Sequence, residues 1–266
     1  MSANVKESAH DEILLIDIDA GIAKITLNRP TQYNALSSEM LTSLQNALDE
    51  IAENKEVKVV IIAANGRAFC AGHDLKEIRS SEDRDFHHAL FAQCGRMMQT
   101  INQLPQPVIA QVNGTATAGG CQLVATCDLA VAADSARFAV SGINVGLFCS
   151  TPAVPLSRNM HRKQAMQMLL TGEFIDANTA QQLGLINEVA TIEELETKTL
   201  ELASKIARKP AAAIAMGKKL FYEQIGMDLS AAYDLASETM ACNLGDEDAR
   251  EGIDAFIEKR KPEWKS

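Results

Sequence analysis

"QPVIAQVNGTATAGGCQLVATCDLAVAADSARF", residues 106–138, decides how this 266-residue chain is read. Its opening "QPVIAQVNG" holds a short apolar run of strand length with no polar face, so it reads as a strand buried on both sides. A glycine-bearing turn follows, and from Gly119 the chain reads as a helix. "DLAVAA" and "ARFAV" are then two short strands. Strands alternating with helical segments in this way predict an α/β fold. One feature of the turn is odd. Its glycines suit a close approach of backbone to a ligand, yet the first polar side chain after them is Gln122, an amide that neither gives nor takes a proton near neutral pH.

The same grammar extends outward in both directions. "ILLIDID" and "IAKITL" flank Ala20-Gly21 and predict a hairpin. Ser37 and Ser38 are caps for a helix to about Ile51, whose apolar residues Met40, Leu41, Leu44, Ala47, Leu48 and Ile51 fall at helical spacing. "VKVVIIAA" is a second doubly buried strand, Gly66 to Gly72 reads as a loop, and a long helix is expected from about Asp83 to Gln103. Beyond Thr151 helices dominate, over about 161–170, 176–183, 192–208, 210–226, 228–242 and 246–258. The chain therefore divides into a core over residues 1–190 and a helical region over 191–266.

The formal net charge of −10 argues against nucleic acid or an anionic membrane as the main partner. No apolar run reaches the roughly 18 residues of a membrane span. The start, "MSANVKESAHDE", resembles neither a signal nor a transit peptide, so a cytoplasmic protein is expected. Cys70, Cys94, Cys121, Cys127, Cys149 and Cys242 form no C-x-x-C pair and read as reduced, buried thiols. The five histidines show no metal-ligand spacing.

Two glycine-bearing loops, "GRAFCAGHDLKEI" and "NGTATAGGCQL", each follow a buried strand and run into a helix. Unpaired N–H groups at helix starts attract negative charge, and two of them converging on one oxygen make an oxyanion hole. On spacing alone such turns more often serve packing.

Five ordered segments carry more information: "LNRPTQYNAL", "GRAFCAGHDLKEI", "VNGTATAGGCQLVATCDLAVAADSARF", "TGEFIDANTAQQLGLINEV" and "EGIDAFIEKRKPEW". Together they resemble the successive signatures of the crotonase superfamily, the enoyl-CoA hydratase/isomerase proteins, over about residues 12 to 264. "VSGINVGLFCSTPAV" and the terminal "KRKPEW" resemble one branch of it. The resemblance implies a spiral of ββα units with a helical C-terminal region that builds a homotrimer or a dimer of trimers. It implies an acyl-CoA thioester as substrate, with no cofactor beyond the coenzyme A it carries. The backbone N–H groups of His73 and Gly119 would form the oxyanion hole. Ala35, Leu36, Ala71, Asp74 and Leu75 would line the coenzyme A path, and Phe256 and Lys259 would serve a neighbouring subunit's site.

The same resemblance exposes two departures. Family hydratases are known for two glutamates that handle the protons of water addition. Their positions fall here on Gln122 and on Gly142 in "FAVSGINVG". Each such acid or base contributes ~10²–10⁴-fold, so efficient hydration is not expected. What survives is a site that stabilises a thioester enolate. Malonyl-type decarboxylation, thioester hydrolysis and acyl-CoA binding without catalysis remain alternatives. His73 is a candidate acid or base, although the expectation is that its backbone matters and its side chain points away. Asp74 is expected to cap a helix starting at Leu75, and Asp128 to be structural. His87 and His88 are expected on a solvated face, and the cysteines as small hydrophobes. Ser141, Asn144 and Ser150 lie where the second carboxylate's segment runs.

Overall fold

The structure is a computed structural model and describes residues 12–265. The predicted hairpin is present as β1 (Leu14–Asp19) and β2 (Ile22–Leu27). Ala20 and Gly21 both have positive φ, at 48° and 79°, which is the backbone of a tight type I′ turn. The first helix, α1 (Ser38–Glu53), buries the six residues expected of it, and the Ser37 hydroxyl accepts from the Met40 N–H.

After α1 the chain winds into a spiral of ββα turns. The turns are β3 (Val59–Ala64), β4 (Ala68–Cys70), α2 (Leu75–Arg79) and α3 (Arg84–Gln103); then β5 (Val108–Val112), β6 (Thr115–Thr117) and α4 (Gly119–Thr126); then β7 (Leu129–Ala133), β8 (Arg137–Ala139), α5 (Ser150–Asn159) and α6 (Arg162–Thr171). β9 (Ile175–Asp176), α7 (Ala177–Gln182) and β10 (Glu188–Ala190) complete the winding. The first strand of each turn joins a six-stranded sheet of order β1-β2-β3-β5-β7-β10. The second joins a four-stranded sheet of order β4-β6-β8-β9. Pairing is parallel except between β1 and β2 and between β8 and β9.

β3 shows why its run is apolar throughout. Val60 and Ile62 face the main core, while Val59, Ile61 and Ala63 belong to a second cluster with Leu195 and Ala203 of α8 (Leu195–Ala207). Burying each such side chain is worth about 1.5–3 kcal/mol. The remaining helices are α9 (Ala211–Gln224), α10 (Leu229–Leu244) and α11 (Glu247–Glu258).

Several expectations need correction. The segment Gly66 to Gly72 is not wholly loop, because β4 lies within it; a three-residue strand is too short to show period-two alternation. β6, β9 and β10 were hidden for the same reason. α5 was masked by Pro152 and Pro155. Pro152 sits in the first turn, where the missing N–H would have no partner, and Pro155 is tolerated further along. Five cysteines are buried as expected, but Cys242 on α10 is exposed.

Candidate active site

The two glycine loops emerge from adjacent strands. β4 pairs in parallel with β6, and β6 with β8, so the loops after Cys70, Thr117 and Ala139 leave the same end of the small sheet side by side. The carboxyl ends of parallel strands are where α/β proteins gather ligand-binding loops. Residues 72–73, 118–119 and 141–142 are brought together by this topology.

The first loop is pinned by the segment Tyr33–Leu36. Ala71 N–H donates to the Tyr33 carbonyl at 3.0 Å, and Leu36 N–H to the Gly72 carbonyl at 2.8 Å. Asn34 organises this segment from inside. It is fully buried with φ 53°; its Oδ1 accepts from Arg29 N–H at 2.9 Å, and its Nδ2 donates to the carbonyls of Asn65 and Ala68 at 3.0 and 2.9 Å. Sequence reading missed Asn34 as a positioning residue; the signal was an Asn, which tolerates the left-handed region, between an aromatic and "AL". The second loop is held by Ala118 N–H to the Ala139 carbonyl at 3.0 Å and by a 2.8 Å hydroxyl contact between Thr117 and Ser141.

The loops touch through glycine. A Cβ on Gly72 would lie 2.8 Å from Gly119 N, and one on Gly120 would lie 2.0 Å from the Cys70 carbonyl oxygen. Only glycine permits this approach. Ala118, with φ 50° and ψ −119°, is in a costly region for a residue with a side chain and turns the chain into α4. Among the described residues, neither His73 N–H nor Gly119 N–H has an acceptor. Two backbone amides without acceptors therefore lie on loops that are in contact.

Gln122 lies one turn into α4 and is 3% exposed, with no donor for its Oε1 among the described residues. Leaving such an atom buried and unpaired costs about 1–3 kcal/mol. It lines a chamber of about 780 Å³ with Met98, Asn102, Asn159 and Tyr222; His73, Gly119 and Gly142 are not in that lining. Gly142 is confined more tightly. A Cβ there would fall 2.6 Å from the Leu147 carbonyl oxygen and 2.7 Å from the Cys149 Sγ, which accepts the Gly142 N–H at 3.3 Å. A carboxylate side chain is excluded at that position by the turn that follows it.

The His73 side chain does not point away. Its ring would lie 3.6 Å from a Cβ at Gly119 and packs edge-on to Phe91 at 5.0 Å between centroids. Its Nδ1 is 3.2 Å from the Leu36 carbonyl, an acceptor only, so Nδ1 carries the proton; Nε2 is buried without a partner among the described residues. Burial lowers its pKa, against smaller opposing effects of the Leu36 carbonyl and the Glu77 charge. The ring is neutral at pH 7.

The other candidates have structural partners. Asp74 caps α2, accepting from Lys76 and Glu77 N–H. Ser141, Asn144 and Ser150 bond within the fold, to Thr117, Gly172 and Phe148. His88 is exposed, while His87 is half-buried with Nε2 at 3.0 Å from the Ile78 carbonyl. Burial pushes the thiols of Cys70, Cys94 and Cys121 up to about 12, so they are inert. Asp128 is structural, with partners the sequence did not disclose. It accepts from Lys218 Nζ, Tyr222 Oη and Val108 N–H, each at 2.7 Å. Lys218 also reaches the carbonyls of Ile101 and Gln106. Burial outweighs the Asp128 charge, so the Lys218 pKa is lowered all the same.

Leu36 is fully buried with Cδ1 3.1 Å from a Cβ at Gly119, Ala35 and Ala71 are half-buried nearby in sequence, and Leu75 is exposed. Phe256 lines a separate cavity of about 420 Å³ that shares no lining residue with the Gln122 chamber, and Lys259 ends α11 with φ 57°. Among the described residues no group of three or more His, Cys, Asp or Glu side chains gathers as a metal site, and no helix is long and apolar enough to cross a membrane.

A ββα spiral with two glycine loops in contact at the carboxyl ends of its small sheet is a crotonase-type fold. The chain belongs to the enoyl-CoA hydratase/isomerase family, whose sequence profile matches residues 17–266. It is 50% identical over 244 residues to mouse mitochondrial enoyl-CoA hydratase domain-containing protein 3, covering 92% of this chain and 81% of that one. A crystal structure of enoyl-CoA hydratase from Mycobacterium smegmatis is similar at 55% identity and a TM-score of 0.95, covering 96% of this chain and all of that one. The crystal structure of human enoyl-CoA hydratase domain-containing protein 3 matches at 47% identity and a TM-score of 0.92, covering 95% of this chain and 100% of that one. The branch expected from "VSGINVGLFCSTPAV" and "KRKPEW" is the one these relatives represent. The expected cytoplasmic location is contradicted by the relatives of this branch at 46–50% identity, which are named mitochondrial.

Proposed function

We propose that this protein is an acyl-CoA-binding enzyme of the hydratase/isomerase type that holds a thioester carbonyl oxygen between the N–H groups of His73 and Gly119 and stabilises the enolate formed from it. The observation that carries this reading is the pair of acceptor-free amides on loops in contact, with Gly72 Cα 3.4 Å from a Cβ at Gly119. One such donor is worth ~10²–10³-fold in rate. Ala35, Leu36, Ala71, Asp74 and Leu75 fit the coenzyme A path, with Asp74 contributing through its loop because its carboxylate is occupied by the α2 cap. Phe256, 85% exposed, and Lys259 fit a site completed by a neighbouring subunit of a trimer or dimer of trimers.

Efficient hydration is not part of this reading, because Gln122 supplies no acid or base and Gly142 has no room for one. Decarboxylation of a malonyl-type thioester is less well supported, since a neutral His73 offers its carboxylate no cation. Calorimetry with butyryl-CoA tests the site: binding is expected, and its absence overturns the proposal. Turnover of crotonyl-CoA is expected to be slow and to rise at least ~10-fold in Gln122→Glu, towards the lower range of a single acid–base group; unchanged turnover in that variant counts against enolate-type chemistry at this position.

A further inference from the structure

We propose that His73 Nε2 is the base of this site and removes a proton from the α-carbon of the bound acyl thioester. The inference rests on the acyl-CoA reading above and adds a side-chain role to a residue whose backbone that reading already uses.

Three observations converge on it. The Leu36 carbonyl fixes the tautomer, leaving the lone pair on Nε2 rather than Nδ1. No donor among the described residues occupies that lone pair, although the atom is buried. The ring rests against Gly119, with its Cδ2 3.6 Å from a Cβ at that position, and the acyl-CoA reading assigns the Gly119 N–H to the thioester oxygen. The α-carbon is bonded to the carbonyl carbon, so a base packed on the turn that holds the carbonyl reaches Cα before any more distant carbon. Phe91, half-buried on α3, is the ring's aromatic neighbour, edge-on at 5.0 Å between centroids. Of the two positions where family hydratases carry glutamate, one is an amide and the other has no side chain; Cys70, also against the turn, is held as a thiol by burial, and His73 is the imidazole packed on Gly119.

The step balances without a co-reactant. The Cα–H bond breaks, its proton passes to Nε2, and its electron pair forms the enolate C=C. The negative charge lies on the thioester oxygen between His73 N–H and Gly119 N–H. Reversal returns a proton to Cα, and exchange of the imidazolium proton with solvent makes the event visible as isotope exchange.

The experiment follows loss of the α-CH₂ signal of butyryl-CoA in D₂O by proton NMR. Wild type is expected to exchange. His73→Asn places an amide donor where Nδ1 stood and removes Nε2, and His73→Phe fills the space against Phe91; both are expected to slow exchange by ~10²-fold or more while still binding butyryl-CoA in calorimetry. His88→Ala, on an exposed position, is expected to exchange at the wild-type rate. Exchange at the wild-type rate in a folded His73 variant overturns the proposal, as does wild-type binding without exchange. Failure of wild type to bind at all defeats the acyl-CoA reading itself and is told apart by the calorimetry.

Discussion

Gly120 and Gly72 carry the contact between the two loops, and their chemistry is steric. An alanine Cβ at 120 would sit 2.0 Å from a backbone oxygen that cannot rotate out of the way, and at 72 it would require φ near 87° as well. Gly120→Ala is expected to cost about 3 kcal/mol or more, read as the shift in a urea-unfolding midpoint, and to abolish butyryl-CoA binding; retention of both would mean the loops do not need this approach. His73 makes a pH-dependent contribution. Its folded pKa lies below 6.5 because burial disfavours the imidazolium, so the unfolded state binds the extra proton first. Stability is therefore intact above the unfolded value and falls as pH drops through it. Unfolding free energies of wild type and His73→Asn are expected to run parallel above pH 7 and to diverge below pH 6.5, with wild type losing more. The nearby Glu77 charge opposes the shift without reversing it.

At the scale of the element, a buried polar cluster ties α9 to the core. Lys218 and Tyr222, one turn apart, both reach Asp128 just before β7, and the Lys218 ammonium also caps carbonyls at the end of α3 and the start of β5's approach. Lys218→Met leaves the Asp128 carboxylate without its cation and is expected to destabilise the protein by about 3–5 kcal/mol. Adding Asp128→Asn should recover part of that loss, since the two sites share one interaction; thermal melts of the single and double variants decide it. Tyr222 and Lys219 also line the Gln122 chamber, so α9 forms part of its wall. None of this was legible locally: Lys218 lies 90 residues from Asp128, and a lysine on a helix reads by default as solvated. Helices with clear caps and periodicity, α1 and α3 above all, were legible to within a residue or two. β4 and β6, which lead into the two glycine loops, were not, because a three-residue strand has no pattern of its own and exists through its neighbours.

At the scale of the molecule, the C-terminal helices expose large apolar side chains. Leu229 is 75% exposed, Tyr233 68% and Phe256 85%, with Phe221, Ile225, Met240 and Ile257 also open. So many exposed large apolar side chains on three consecutive helices are an association signal. Sedimentation is expected to give a mass of three chains or a multiple of three, and Leu229→Lys with Tyr233→Lys to shift it towards the monomer; a monomeric wild type would contradict the assembly proposed above.

The sequence by itself determined the fold class, the doubly buried strands, the two glycine loops, and an amide at 122 with a glycine at 142, because these depend on composition, periodicity and identity at single positions. Only the tertiary structure decided that the two loops meet, that Gly142 has no room for a side chain and that the His73 ring turns inward with its Nε2 bare. Each of those depends on atoms far apart in the chain, placed side by side by the parallel pairing of β4, β6 and β8.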